Sequence, residues 1–287
     1  MTLSPRDAGS FVEMLLAGAA GDAIGLPFEG AGLPGVVELP AVWRASDDTR
    51  LSLATARALL DEGCVVPERV AEELLAEFRR APIPGLGSST LGALLALEQG
   101  QDWRISGTPG DKAAGNGAAM RCIPLAWFLD PTTSGGRRAV LDVARITHRN
   151  DEAVTGALAV VLGAWHLRGG IAGKDLLRVV AADLPDTLVR ERIELFAELA
   201  GSGDLQSVAA TFGSSGYVVE SVPLALLVGT RDWDTLEEAL LAVVGLGGDT
   251  DTNASMVGQL LAARGYRVPS GWVPRMELGQ EIEALTD

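Results

Sequence analysis

Apolar residues recur at helical spacing along most of this sequence, and the alternating pattern of strands is scarce. Between Pro67 and Arg80 the apolar positions include Val70, Leu74, Leu75 and Phe78, with Glu and Arg residues between them, which describes one face of a helix. Pro67 suits its first position, where a missing N–H removes no helical hydrogen bond. Leu51, Ala54, Ala58 and Leu59 predict another helix over 48–60, stopped by Gly63. Asp234 followed by Glu237 reads as a capping box, opening a stripe of Leu236, Leu240, Val243 and Val244. The runs 154–167, 256–263 and 91–97 have almost no polar face and predict buried, central helices. Residues 35–39 are the best short strand candidate, and the glycines are expected in short loops between helices. With no fixed-period repeat and no long linker, the expected fold is all-α, a compact single-domain helical bundle over residues 1–287.

Composition narrows the function. At 47% hydrophobic residues, 287 residues can bury a sizeable core. A formal net charge of -15 repels phosphate backbones and anionic lipid, so neither nucleic acid nor membrane is an expected partner. Cys64 and Cys122 lack CxxC spacing and are expected as small buried apolar residues in a reducing compartment. The N-terminus lacks a signal-peptide pattern, and its apolar stretch is interrupted by Glu13 and Asp22. The run 154–167 contains Thr155 and His166 and is too short to span a bilayer. The expectation is a cytoplasmic protein, with a monomer as the default state.

Two clusters carry the chemistry. Ser46-Asp47-Asp48-Thr49 and Gly247-Gly248-Asp249-Thr250-Asp251-Thr252 each precede an apolar helical run. Hard divalent cations such as Mg²⁺ take oxygen ligands at this density. Helix capping also favours Asp, Ser and Thr at such places, so either cluster alone is explained by it. Four aspartates brought together without cations would repel by roughly 4 kcal/mol per pair at about 4 Å and a moderate dielectric. Three glycine-rich turns, at 85–90, 115–118 and 213–217, also precede helical stretches and offer backbone N–H groups to an anion. His166 reads as a satisfied core residue, whereas His148 lies near polar residues at a helix end and is a site candidate. Glu29, in a Gly/Pro loop, suits a mobile acid or base as well as it suits a solvated surface carboxylate.

Taken in order, Gly21-Asp22-Ala23-Ile24-Gly25, Ser46-Asp47-Asp48-Thr49, Gly115-Asn116-Gly117-Ala118-Ala119-Met120-Arg121, Thr147-His148, Gly216-Tyr217-Val218-Val219-Glu220 and the 247–252 cluster resemble the ADP-ribosylglycohydrolases. The resemblance implies an all-α fold with two divalent metal ions, Mg²⁺ or Mn²⁺. It places metal ligands on Ser46, Asp47, Asp48, Asp249, Asp251 and Thr252, and an acidic flap residue on Glu29. Ligand-cradling residues would be Ser89, Gly115, Asn116, Gly117, His148, Gly216 and Tyr217. This chain has Ser46 where the family usually has Thr and Arg50 where Gln is common, a short stretch between Glu29 and Ser46, and no proline soon after His148.

The implied reaction is metal-assisted hydrolysis of a glycosidic bond to ADP-ribose, in an ADP-ribosylated protein or small ADP-ribosyl conjugate. Glu29, Asp47 and Asp48 are the catalytic candidates, one of which must move a proton to or from water or the leaving group. Two other readings keep the same residues: a phosphoester or nucleoside hydrolase, and a non-catalytic ADP-ribose-binding protein.

Overall fold

The computed structural model describes residues 3–30, 36–199 and 203–286. Twelve helices there have eight residues or more: α1 Pro5–Gly25, α2 Asp47–Glu62, α3 Pro67–Arg80, α4 Ser88–Glu98, α5 Ser134–Arg145, α6 Asp151–Arg168, α7 Gly173–Ala182, α8 Leu188–Leu199, α9 Leu205–Phe212, α10 Val218–Thr230, α11 Leu236–Val244 and α12 Thr250–Arg264. The fold is all-α; its sole named strands among the described residues are β1 Thr108–Pro109 and β2 His148–Arg149, a parallel two-residue pair. Of the strand candidate at 35–39, Gly35 lies outside the described residues and 36–39 form no strand.

Local chemistry sets most helix ends. Ser46 caps α2 by accepting a hydrogen bond from the Asp48 N–H, and Gly63, at φ 63°, ends it in the left-handed conformation. The cap of α11 falls one residue later than the sequence suggests. Thr235 accepts from the Glu238 N–H at 3.1 Å, while Glu238 accepts from the Asp234 N–H at 3.0 Å. The cap is Thr235 and not Asp234, and the returning Glu238 carboxylate takes the N–H of Asp234, one residue before the cap.

Helix α12 is the centre of the molecule, packed against α1, α6, α10 and α11, and its residues from 250 to 263 are all buried. Helix α6 is almost as deeply covered, as expected. Helix α4 departs from expectation. It turns Ser89 and Thr90 inward, and this leaves Leu91 and Leu95 38% and 41% exposed. Its lack of a polar stripe therefore reflects polar residues facing inward, not burial on all sides. The 22 residues Asp7–Phe28 are long and apolar enough to cross a membrane by length and composition, yet 72% of an apolar 18-residue stretch within them is buried inside the fold.

The expectation that glycines sit in loops fails for α1 and α12. A Cβ on Gly21 would lie 2.1 Å from the Ala254 carbonyl oxygen, and one on Gly258 would lie 2.2 Å from that of Ala17. At Gly25 it would lie 2.5 Å from the Asp251 Cα. Backbone touches backbone along this pair, an approach that only glycine allows. Cys122 is buried as expected, but Cys64 is exposed, because it follows the Gly63 stop in the short turn before α3.

The chain's last segment braces the approach to α2. Trp272 packs on Trp43 with ring centroids 5.0 Å apart. The Glu277 N–H donates to the Trp43 carbonyl at 2.9 Å, and the Glu277 carboxylate accepts from the Ala45 N–H at 3.0 Å. Arg50 bridges Glu277 and the buried Glu77, at 2.8 and 3.1 Å.

Candidate metal centre and ligand cavity

The starts of α2 and α12 meet. Thr252 Oγ1 donates to Asp48 Oδ2 at 3.0 Å. Asp22, Asp48 and Asp251 each place one carboxylate oxygen within 4.8 Å of the others, and Glu29, Asp249 and Asp251 form a second such group. Asp251 belongs to both. Capping accounts for only part of this arrangement: Ser46 caps α2, but Asp249 makes no side-chain cap at α12. Its Oδ2 accepts instead from Asn116 Nδ2 at 2.8 Å.

The centre is buried and electrostatically unbalanced. Desolvation, then the charge of Asp22, pushes the Asp47 carboxyl up to about 7. Desolvation, then Asp249, pushes Asp251 up to about 9. Asp48 lies well above the usual carboxylate range through burial and then Asp251, and burial also raises Asp22. Glu29, although exposed at the mouth, is raised by partial desolvation and Asp249. Asp22 Oδ1 and Asp48 Oδ1 are buried with no hydrogen-bond partner. Carboxylates that form no ion pair with a Lys or Arg among the described residues, with bare oxygens among them, fit divalent cations of the Mg²⁺ or Mn²⁺ kind.

Beside this group opens a cavity of about 230 Å³, lined by Glu29, Asp47, Ser89, Lys112, Gly115, Asn116, Gly117, His148, Gly216, Asp249, Asp251 and Thr252, among others. Ser46 and Asp48 are absent from its wall and lie behind it. Tyr217 is also absent from the wall; it stands 39% exposed, and its backbone bridges to Gly115. Two larger grooves, of about 530 and 630 Å³, are rich in arginine and hold no comparable group of buried carboxylates.

The wall is built from loops tied to one another. The Asn116 N–H donates to the Gly216 carbonyl at 3.1 Å, and the Val218 N–H to that of Ala114 at 3.0 Å. Glu220 folds the 213–217 turn by accepting from the Ser215 N–H and hydroxyl, at 3.0 and 2.7 Å. His148 lies in β2, 2% exposed, with Nδ1 2.9 Å from Thr147 Oγ1. Desolvation, then Arg121, lowers its pKa to about 3, so the imidazole is neutral near pH 7. His166 differs from expectation: it is half-buried, and its Nε2 has no hydrogen-bond partner. It lies in the last turn of α6, where burial lowers its pKa and outweighs the charges of Asp183 and Asp130.

Two residues that stand in the motifs of the resemblance, but were given no role there, belong to the site. Asp22 reads in the sequence as an interruption of an apolar stretch and as part of the 21–25 motif, and it is wholly buried beside Asp48 and Asp251. Arg121 is equally buried and donates to Thr147 Oγ1 at 2.7 Å and to the Val143 carbonyl at 3.2 Å, which fixes the approach to His148. A charged residue inside an apolar run was the available signal in both cases.

Known proteins resemble this chain along nearly its whole length. The family model described as ADP-ribosylglycohydrolase matches residues 3–287. The chain is 28% identical to the ADP-ribosyl-(dinitrogen reductase) glycohydrolase of Rhodospirillum rubrum, over 83% of this chain and 75% of that one. It is 28% identical to the ADP-ribosylarginine hydrolase Tri1 of Pseudomonas putida, over 84% and 64%. A solved structure titled an ADP-ribosylglycohydrolase-related protein complex superposes with a TM-score of 0.73 at 25% identity, covering 98% of this chain and 96% of that one.

Proposed function

The chain belongs to the ADP-ribosylglycohydrolase family of enzymes, and from that premise we propose that it hydrolyses the glycosidic bond between ADP-ribose and a protein side chain or other ADP-ribosyl conjugate, using two Mg²⁺ or Mn²⁺ ions held between α2 and α12. The observation that carries this reading is the pair of carboxylate groups that share Asp251, one of them on the cavity wall and the other reaching it only through Asp251. Ser46, Asp47, Asp48, Asp249, Asp251 and Thr252 would hold the ions, which supply Lewis acidity and hold the ribose hydroxyls in place.

The remaining roles fall to the chain's own groups. The bond to the anomeric carbon breaks through an oxocarbenium-like transition state, and a carboxyl must exchange a proton with water or the leaving group. Asp47 and Glu29 are the carboxyls on the cavity wall for that exchange, and Glu29 stands at its mouth with its pKa raised by partial desolvation and Asp249. The Asn116 amide holds Asp249 in orientation. Neutral His148 can hydrogen-bond the ligand without adding charge. Ser89, Gly115, Asn116, Gly117 and Gly216 line the place for the diphosphate, where backbone N–H groups serve an acidic protein better than a basic patch. Tyr217, exposed beside Gly115, offers its ring to adenine.

Incubation with ADP-ribosylated protein, poly(ADP-ribose) and ADP-ribose 1''-phosphate, with Mg²⁺ or Mn²⁺ and with chelator, tests the reading. Release of ADP-ribose that depends on the cation is expected. Calorimetric binding of ADP-ribose with no release from any conjugate would favour a non-catalytic binding protein, and cleavage of a simple phosphoester alone would favour a different hydrolase.

A further inference from the structure

Asp22 joins the two halves of the site from behind. Among the described residues, the hydrogen bonds its side chain accepts come from the cap and first turn of α2: from the Ser46 N–H at 2.9 Å, from the Thr49 N–H at 3.2 Å and from the Thr49 hydroxyl. They fall on one oxygen, Oδ2. The other, Oδ1, is buried and unpartnered, in a carboxylate whose companions within 4.8 Å are Asp48 and Asp251. Gly21 and Gly25 flank it and bring α1 into backbone contact with Ala254 and Asp251 of α12. One turn of α1 therefore touches both aspartate clusters.

We propose that Asp22 is a positioning residue of the cation centre, fixing the 46–49 turn through Oδ2 while Oδ1 adds negative charge beside Asp48 and Asp251. This rests on the reading of that centre as a divalent-cation site. A purely structural tie to two N–H groups and a hydroxyl needs only a neutral acceptor, which an amide oxygen would supply. A carboxylate at full burial, with no Lys or Arg among its partners, is costly for the fold alone. That cost is offset when a cation binds nearby, and carboxylates behind the ligands orient them and tune the ion.

Calorimetric titration of the full-length protein with Mg²⁺, paired with thermal melts with and without Mg²⁺, tests the role without any substrate. Asp22→Asn keeps an oxygen acceptor for the turn and removes the charge. It should melt without Mg²⁺ no lower than wild type, bind Mg²⁺ about tenfold more weakly and show a smaller Mg²⁺-induced melting shift. Thr49→Val keeps the charge and removes one tie, and a loss of about threefold in Mg²⁺ affinity is expected. Wild-type Mg²⁺ affinity in Asp22→Asn overturns the proposal. Should that variant fail to fold, unchanged affinity in Thr49→Val overturns it instead. A wild-type protein that takes up no Mg²⁺ would bring down the cation centre itself, a separate failure.

Discussion

Thr252 donates its hydroxyl to Asp48 at 3.0 Å, joining two helix starts that lie 204 positions apart in the chain. Both helices point their positive ends at the same carboxylates, which lowers the cost of crowding negative charge there. Asp251 is the residue common to both carboxylate groups. Asp251→Ala should therefore abolish Mg²⁺ binding and turnover, while circular dichroism and cooperative melting survive because like-charge repulsion is relieved. Unchanged Mg²⁺ stoichiometry by calorimetry would count against the ligand assignment.

The same crowding predicts how pH acts. Asp47 at about 7 and Asp251 at about 9 hold protons that a cation must displace. Mg²⁺ affinity should rise between pH 6 and pH 9, with protons released on binding. Stability of the cation-free protein should move the other way. These folded-state values are raised above the ordinary 3.8, so the contribution is fully present below about pH 4 and is lost as pH rises through 7 and 9. Melts in chelator over pH 5 to 9 should shift downward, and Mg²⁺ should cancel the trend. A chelated protein that gains stability toward pH 9 would refute the electrostatic account.

Both clusters, the glycine turns and the all-α class were legible because they are local patterns: oxygen-rich helix starts and apolar stripes at helical period. What was not legible depends on where helices cross. Gly21, Gly25 and Gly258 look like ordinary helix-weakening residues until their partners across the interface are known. Asp22 reads as an interruption because its donors lie 24 to 27 positions away, on α2. Leu91 and Leu95 look like core residues because nothing local records that Ser89 and Thr90 claim the inner face of α4. Arg50 replaces a common Gln, and its partners Glu77 and Glu277 come from α3 and the far end of the chain.

Among the described residues, Lys112 is the one Lys or Arg on the wall of the cavity, in a chain whose other lysine is Lys174. It shares that wall with a surplus of carboxylates and with the loops proposed for the diphosphate. Lys112→Gln should weaken ADP-ribose binding by about fivefold, the scale of one exposed charge pair, and should flatten its dependence on salt. Mg²⁺ binding should stay as in wild type, since the residue stands on the ligand side. Equal ADP-ribose affinity at low salt in both proteins would remove Lys112 from the subsite.

Helix α1 offers a contrast between two glycines of opposite expected sign. At Gly9 an added Cβ would meet nothing within 4 Å, so Gly9→Ala should stabilise by about 0.5–1 kcal/mol through helix propensity. Gly21 faces the Ala254 carbonyl, and a Cβ there would sit 2.1 Å from the oxygen. No side chain can rotate away, because the obstacle is backbone, so α1 and α12 must separate. Gly21→Ala should cost about 1–3 kcal/mol or more, and at a few degrees per kcal/mol for a chain of this size the melting point should fall by several degrees. The separation would also draw Asp22 away from Asp251, so Mg²⁺ affinity should fall together with stability. Thermal melts and Mg²⁺ titrations of the two variants side by side check both parts. A Gly21→Ala protein that melts with wild type and binds Mg²⁺ normally would show that the two helices do not meet backbone to backbone.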